Sequence, residues 1–260
     1  MLRGLLSALG VYKLYGAWLR SQIDPERLPK HVGVILDGNR RWASAHDMIP
    51  WEGHREGAEK VKDFLQWALD LGITTVTFYA FSTENFSRSE EEVGELMKLY
   101  EENLREILNS DIIHKYRVKI AAIGRMNLLP ETIQRLISEV EESTKDYSDY
   151  YLNVALAYGG RAEIVDATRE IAVKVRNGEL EPEMIDEATI EEHLYTSHLP
   201  QQEPDIVMRT SGESRISNFL IWQSAYSELF FVDIYWPDFR EIDLERAIRA
   251  YQDRKRRYGK

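Results

Sequence analysis

The sequence predicts an α/β fold, a single domain with a mostly parallel six-stranded sheet, flanking helices and a hydrophobic tunnel. Short apolar runs rich in β-branched residues alternate with longer segments whose apolar residues recur at helical spacing. The runs are almost continuously apolar, which is typical of parallel strands buried on both faces. The 260 residues contain no internal repeat and no long Pro/Gly/Ser linker. One large domain is therefore the better interpretation.

The strands and helices can be placed in order along the chain. A helix face begins at Val61 and ends near Gly72, and a longer one runs from Val93 to Leu108. Pro130 opens the next helix, residues 162–176 form another, and a last one lies around residues 244–251. The apolar runs predict six strands, in residues 31–36, 74–81, 118–123, 151–158, 205–210 and 230–236.

The N-terminal segment, residues 1–24, is predicted to be an amphipathic helix preceding a catalytic domain of residues 25–260. Its longest uncharged run, Gly4 to Tyr12, is far short of the ~20 residues that span a bilayer. No small-x-small cleavage site follows that run. The helix either docks on the protein's own surface or lies in a lipid interface. Residues 1–23 carry three basic side chains and no acidic one, which favours the second alternative. We expect a cytoplasmic protein with peripheral membrane contact.

Composition excludes several classes of function. Lys and Arg number 33 against 44 Asp and Glu, a net charge of −11, which argues against a nucleic-acid partner. The chain has no cysteine, so disulfides, thiolate catalysis and zinc–thiolate sites are excluded. Apart from His54, its five other histidines lack metal-ligand spacing, which argues against a zinc site. Any metal must be held by carboxylate, His, amide or water ligands.

Polar side chains follow the first predicted strand, where ligands of parallel sheets bind. Asp37 and Gly38 are followed by Arg40 and Arg41 at the start of a predicted helix. Free N–H groups and the helix dipole favour phosphate there, and Asp37 is a candidate ligand for a divalent metal. An equally good interpretation is an Asp cap on an ordinary surface turn.

Other strand ends carry similar groups. Residues 82–88 supply a hydroxyl, an amide and a guanidinium, and residues 159–161 supply a glycine pair with an arginine. Residues 209–218 contain two arginines and several hydroxyls, which suit diphosphate oxygens. Each segment alone is a plausible surface loop. In a protein with a net charge of −11, however, arginines at several strand ends together favour a polyanionic ligand with a metal.

Two further residues have alternative interpretations. Glu228 is either the edge of a buried helix that enters a strand or a second metal carboxylate, with the surrounding apolar surface packing against another subunit. His54 is either a structural histidine or close enough to the arginines to contact phosphate or relay a proton.

Six short motifs are distributed along the chain: DGNRRWA (37–43), GHR (53–55), FSTENF (81–86), RTSGE (209–213), RISNF (215–219) and WPDF (236–239). Taken together, they resemble the motifs of the cis-prenyltransferase family, most closely its undecaprenyl diphosphate synthases, and they occur in the family order from about Val32 to Gly259. The resemblance implies sequential condensation of isopentenyl diphosphate onto farnesyl or geranylgeranyl diphosphate. The product would be a long Z-polyprenyl diphosphate, the precursor of a glycosyl carrier lipid.

The resemblance also implies roles for individual residues. Asp37, Asn85 and His54 would be catalytic, and Asp37 and Glu228 would hold Mg²⁺. The C-terminal Arg257 and Gly259 would reach the site of a neighbouring subunit in a homodimer; the alternative is a basic last turn. The implied substrate-binding residues are Gly38, Asn39, Arg40, Arg41, Trp42, His54, Ser82, Phe86, Arg88, Arg209, Arg215, Ser217, Arg257 and Gly259.

One position departs from the family pattern. Pro50 stands where many bacterial members have arginine, so Arg40 or Arg55 is expected to supply the diphosphate contact instead.

Four rival functions are disfavoured. A catalytically silent subunit that activates a partner fits poorly with a complete motif set. A haloacid-dehalogenase-type phosphatase needs a second aspartate where Asn39 stands, and no GxxxxGK[ST] nucleotide-binding loop is present. The trans-type synthases need adjacent aspartates, which this sequence lacks.

Overall fold

The computed structural model describes residues 11–254 and contains one six-stranded sheet in which every strand pair is parallel. The strands are β1 (His31–Ile35), β2 (Thr75–Tyr79), β3 (Val118–Ile123), β4 (Tyr150–Ala155), β5 (Ile206–Arg209) and β6 (Glu228–Phe231). Their order in the sheet is β3–β4–β2–β1–β5–β6, so β2 and β5 flank β1 and the carboxyl ends of β1 and β5 are neighbours. The predicted fold class is confirmed.

The helices pack on both faces of this sheet. In the helix Pro50–Leu71, proline occupies the first position, and Gly72 ends the helix with a left-handed φ of 83°. The helices are α1 (Val11–Arg20), α2 (Asn39–Ala45), α3 (Pro50–Leu71), α4 (Glu90–Leu108), α5 (Asp111–Lys115), α6 (Glu131–Thr144), α7 (Gly160–Arg176), α8 (Glu187–Glu191) and α9 (Glu241–Asp253).

The segment before β6 differs from the sequence prediction. Residues 219–227 form turns and bends rather than a buried helix, and β6 begins at Glu228 instead of residue 230. Asn218 and Leu220 have left-handed φ values of 65° and 42°, which helical backbone does not allow. Phe219 and Leu220 are nevertheless fully buried. The apolar run therefore indicates that this segment is buried, but not that it is helical.

One face of the sheet packs an apolar and aromatic core. Phe64 of α3 contacts Phe78 of β2 and Trp236, with ring centroids 5.5 and 5.8 Å apart. All three side chains are fully buried, and burial of each such ring contributes on the order of 2 kcal/mol or more. This packing fixes α3 against the sheet, and α3 in turn carries His54 to the site.

The opposite face carries a buried polar ladder. The His31 Nε2 lies 2.8 Å from the Thr77 hydroxyl, which also accepts a hydrogen bond from the Asn153 amide at 3.1 Å. His198 Nε2 lies 2.8 Å from Asn153 Oδ1. Burial lowers the pKa of His31 to about 4, so its imidazole is neutral in the folded protein near pH 7.

Helix α1 docks on the C-terminal helix α9. Arg20 donates to Glu245 at 2.8 Å and also pairs with Glu241, while Arg246 lies over the Tyr15 ring at 5.1 Å. For this part of the segment the structure therefore matches the docked alternative. Residues 1–10 lie outside the described part of the chain. No helix within residues 11–254 is long and apolar enough to cross a membrane.

Candidate active site

The site forms where β1 and β5 end side by side. Arg209, the last residue of β5, donates from Nη2 and Nε to one carboxylate oxygen of Asp37, at 2.7 and 3.2 Å. Burial raises the pKa of the Asp37 carboxyl, but the hydrogen bonds and positive charges of Arg209 and Arg41 outweigh it and hold that pKa below its usual value. Asp37 is therefore a carboxylate at neutral pH.

The turn after β1 is built for close approach. Gly38 has φ 106°, and a Cβ at this position would lie 2.8 Å from Tyr235 Cδ1 and 3.0 Å from Ser211 Cβ. The Asp37 N–H donates to the Thr210 hydroxyl, which donates back to the Asp37 carbonyl at 2.6 Å. These bonds fix the direction in which the Asp37 carboxylate points.

The two arginine-rich segments converge around this carboxylate, as predicted from the sequence. Arg41 donates to Asp37 at 3.1 Å and to the Ser211 hydroxyl at 2.5 Å. Arg209 also donates from Nη1 to the Ser217 hydroxyl and to the Arg215 carbonyl, both at 2.6 Å. The Arg215 side chain itself is 61% exposed, so its guanidinium is accessible to a ligand.

A second cluster lies around His54 at the start of α3. Its Nε2 is 3.4 Å from Glu92, which also accepts from Arg88 at 3.0 Å and lies 3.7 Å from Arg40. Burial and the charges of Arg88 and Arg40 together lower the pKa of His54 to about 4, although Glu92 opposes them. The imidazole is therefore neutral at pH 7. Arg55 instead makes an exposed ion pair with Glu102, whereas Arg40 lies in the cluster around Glu92. Arg40 is therefore better placed to supply the diphosphate contact that an arginine at position 50 would make.

Of the remaining predicted residues, some line the cavity described below and others do not. Asn85 caps its own loop by accepting from the Ser82 N–H at 3.1 Å, and both line the cavity described below. Trp42 donates to Asp238 at 3.0 Å, and Phe86 packs edge-on against Phe81 while 36% exposed. Both aromatic side chains lie near the site but do not line the described cavity. Arg257 and Gly259 lie outside the described residues.

Glu228 lies at the other end of the sheet. It is the first residue of β6, in register with Ile206, whereas Arg209 is level with Phe231. The offset between residues 206 and 209 is about 10 Å along the strand at ~3.3 Å per residue, and the Glu228 carboxylate pairs with Arg254. Within one chain the structure thus separates Glu228 from Asp37, because β6 begins, rather than ends, at Glu228. The role of Glu228 as a Mg²⁺ ligand stays a prediction.

The donor set fits Mg²⁺ held through its substrate. Within residues 11–254 no group of three His, Asp or Glu side chains is arranged to hold a metal. Asp37 offers one carboxylate, 26% exposed, beside arginines suited to phosphate. Mg²⁺ typically takes one or two carboxylates and completes its shell with phosphate oxygens and water. Asp37 would thus hold Mg²⁺ only together with a bound diphosphate.

An apolar cavity of about 750 Å³ leads away from this polar end. It runs between the sheet and helices α3, α4 and α6, as the predicted tunnel requires. Its polar end is lined by Asp37, Asn39, His54, Ser82, Asn85, Arg88, Arg209, Ser217 and Asn218. Its apolar walls include Val61, Leu65, Phe78, Leu96, Leu99, Leu104, Ile107, Ile113, Ile120, Ile137, Val140, Leu152 and Val154.

Two residues of the site were not singled out from the sequence. Glu92 is buried and joins His54, Arg88 and Arg40, and its spacing four residues after Arg88 on the edge of a helix was the available signal. Asn218 accepts from the Arg161 N–H at 2.9 Å and donates to Glu84 at 3.2 Å, so it ties three strand-end loops together. No local pattern indicates such contacts.

A doubly wound parallel sheet with an arginine-rich anion site opening into an apolar cavity defines an enzyme for the diphosphate of an apolar chain. Residues 35–259 match the Prenyltransf family model, which describes undecaprenyl diphosphate synthases. The chain belongs to this family of cis-prenyltransferases, and it is a prenyltransferase of the polyprenyl diphosphate synthase type.

Individual relatives agree with this assignment. The geranylgeranyl-diphosphate-specific tritrans,polycis-undecaprenyl-diphosphate synthase of Methanocaldococcus jannaschii is 56% identical over 96% of this chain and 90% of its own length. That of Pyrococcus horikoshii is 52% identical over 96% and 94%. The crystal structure of lavandulyl diphosphate synthase from Lavandula x intermedia with dimethylallyl diphosphate superposes with a TM-score of 0.87 at 40% identity, covering 90% of this chain and all of that one.

Proposed function

We propose that the protein condenses isopentenyl diphosphate, one unit at a time, onto geranylgeranyl diphosphate to give a long Z-polyprenyl diphosphate. The cavity carries this proposal, because a site suited to phosphate at one end opens into an apolar cavity of about 750 Å³ that can receive a prenyl chain. Relatives that are 56% and 52% identical to this chain are named as geranylgeranyl-diphosphate specific, which favours this primer over farnesyl diphosphate. The product would serve as the precursor of a glycosyl carrier lipid.

The residues around Asp37 would bind and ionise the allylic substrate. Gly38, Asn39, Arg40 and Arg41 would cradle its diphosphate, with Asp37 holding Mg²⁺ against it. Bound Mg²⁺ would neutralise the negative charge that develops on the leaving diphosphate. Arg41 and Arg209 act on the same charge, and such preorganised donors stabilise the transition state more than the ground state.

The second diphosphate would lie on the 209–217 segment. Arg209, Arg215 and Ser217 would bind isopentenyl diphosphate, since Arg209 is already aimed between Asp37 and the Ser217 hydroxyl. After the new carbon–carbon bond forms, a proton must leave the condensed intermediate. His54 is neutral near pH 7 and, like Asn85, lines the polar end of the cavity, so its ring can accept a proton or a hydrogen bond there.

We also infer a homodimer that pairs across β6. This strand is at the edge of the sheet, and Leu229 and Phe231 on it are each 38% exposed. An edge strand with exposed apolar side chains is a surface that proteins normally cover. The C-terminal Arg257 and Gly259 would then reach the partner's site. Membrane contact through the N-terminal segment stays a prediction, and cytoplasmic localisation does too.

A product assay tests the proposed function. Purified protein with Mg²⁺ and labelled isopentenyl diphosphate is given geranylgeranyl or farnesyl diphosphate, and the dephosphorylated products are separated by chain length. We expect a long-chain series with a higher kcat/KM for geranylgeranyl diphosphate. A single condensation, or no transfer with either primer, would contradict the proposal; a preference for farnesyl diphosphate would correct the primer alone.

A further inference from the structure

One pair of charged side chains lies in the wall of the apolar part of the cavity. Lys62 of α3 and Glu106 of α4 both line the cavity, and the Lys62 ammonium donates to both Glu106 carboxylate oxygens at 2.7 Å. It also donates to Glu59 at 2.8 Å. Lys62 lies about 12 Å along α3 from His54, at ~1.5 Å per residue. The pair therefore borders the region of the chain's tail, away from the diphosphate end.

The Lys62 side chain is amphipathic in a way that suits this position. Lys62 is 39% exposed and Glu106 59%, so the charged groups are at the solvent side while the side chain still lines the cavity. A lysine commonly lays its aliphatic stem on apolar surface and keeps its ammonium in water. The stem thus completes the apolar wall, and the ammonium is fixed outside it by two carboxylates.

The ion pair also bridges the two helices that form this wall. On the solvent side α3 and α4 are joined by Lys62–Glu106 and by a second pair, Arg55–Glu102 at 3.0 Å. The second pair is similarly exposed, at 60% and 56%, yet neither of its side chains lines the described cavity. Only the Lys62–Glu106 pair, of these two, would be displaced by a ligand that leaves the cavity between the helices.

We propose that the Lys62–Glu106 ion pair determines how long the product grows, by closing the seam between α3 and α4. The inference rests on the proposed elongation reaction. While the pair holds, the free end of a lengthening chain stays within the cavity and elongation stops when the space is filled. When the pair opens, that end can pass out between the helices and further units are added. An exposed ion pair is weak and screened by salt, so the limit is graded.

Charge reversal at Glu106 tests this directly. In Glu106→Lys the two ammonium groups repel, and we expect the share of products longer than the parent's main product to rise about threefold, the scale of one exposed ion pair. The rate and KM of the first condensation should not change, because the pair is remote from the diphosphate end. Glu106→Gln removes the attraction alone and should shift the distribution less, in the same direction.

Two further variants distinguish the effect of the Lys62–Glu106 ion pair from that of any change of charge on α4. Lys62→Glu combined with Glu106→Lys rebuilds the pair and should restore the parent distribution. Glu102→Lys makes the same charge change one turn earlier on the same helix, and it should leave product length unchanged. Raising the salt concentration should lengthen the products of the parent protein but not those of Glu106→Lys.

The outcomes distinguish this inference from the proposed function. An unchanged distribution in a folded Glu106→Lys variant, or an equal shift in Glu102→Lys, would overturn the role of the ion pair while the polyprenyl synthase activity stands. If the parent protein itself adds no more than one unit to any primer, the proposed function fails and the ion pair's role fails with it.

Discussion

Arg209 and Asp37, 172 residues apart in the sequence, form an ion pair of 2.7 Å at the adjoining ends of β5 and β1. Both side chains line the polar end of the cavity, and the Arg209 side chain is the more buried of the two, 7% exposed against 26% for Asp37. Parallel pairing of β1 and β5 brings the two motifs together. The electrostatic character of the site follows from this one relationship.

Replacing Asp37 is expected to abolish transfer while leaving the fold intact. Asp37→Asn keeps the shape of the side chain but removes the charge that would hold Mg²⁺, and loss of such a contact costs about 3 kcal/mol, or on the order of 100-fold in rate. Single-turnover assays with labelled isopentenyl diphosphate measure the rate, and circular dichroism checks the fold. Asp63→Asn, an exposed aspartate on α3, is the control. Near-normal turnover of Asp37→Asn would contradict the assignment.

A side chain at Gly38 should disturb the turn that aims Asp37. Gly38→Ala puts a Cβ 2.8 Å from Tyr235 at φ 106°, a strained arrangement that costs on the order of 1–3 kcal/mol. Thermal unfolding should therefore move to lower temperature, and kcat should fall. Gly94→Ala on α4 meets nothing within 4 Å, so it should raise stability by up to ~1 kcal/mol. Equal stability of the two variants would refute this account of the turn.

Asn218 is expected to position the substrate-binding segment. Asn218→Ala removes its bonds to the Arg161 N–H and to Glu84, which costs about 1–2 kcal/mol and loosens Ser217 beside it. We expect KM for isopentenyl diphosphate to rise about tenfold and KM for the allylic substrate to change little. Asn177→Ala, whose amide bonds only to exposed Glu179, is the matched control. A change confined to stability, with both KM values intact, would argue against a positioning role.

Acid should destabilise the protein through its buried histidines. The pKa of His31 is about 4 in the folded state and near 6.5 when unfolded, so the unfolded chain binds an extra proton between these values. Stability is therefore fully present above pH 6.5 and falls as the pH drops toward 4, by about 3 kcal/mol from this residue. Urea unfolding at a series of pH values measures the slope.

His31→Gln is the variant that isolates this contribution. It can still bond to Thr77 but does not titrate, so its stability should fall less between pH 6.5 and 4 than that of the parent. His54 and His198 also have lowered pKa values and keep part of the slope in both proteins. The same slope in the variant and the parent would show that His31 does not titrate as described.

Much of the fold and part of the site can be predicted from the sequence because they rest on local patterns. All six strands arise from apolar runs, and Asp37 and Arg209 were placed by the rule that ligands bind at the carboxyl ends of parallel strands. The boundaries of β6 were missed because burial of Phe219 and Leu220 gives the same apolar signal in turns as in a helix.

The remainder depends on contacts that no local pattern encodes. Glu228 follows an apolar run and looks as suitable for a metal as Asp37, but the register of β6 places it at the opposite end of the sheet. Glu92 and Asn218 act through partners on other loops, which only the assembled topology brings near them. The sequence does not show whether Arg40 or Arg55 points toward the site. The structure does, because Arg40 lies near Glu92 and Arg55 pairs with the exposed Glu102.

The most direct test is a crystal structure of the protein with Mg²⁺ and a non-hydrolysable geranylgeranyl diphosphate analogue. We expect the diphosphate and the metal at the Asp37 carboxylate, within reach of Arg40 or Arg41, and the prenyl tail between the sheet and helices α3 and α4. A diphosphate bound away from Asp37, or a tail that lies on the protein surface instead of in the cavity, would contradict it.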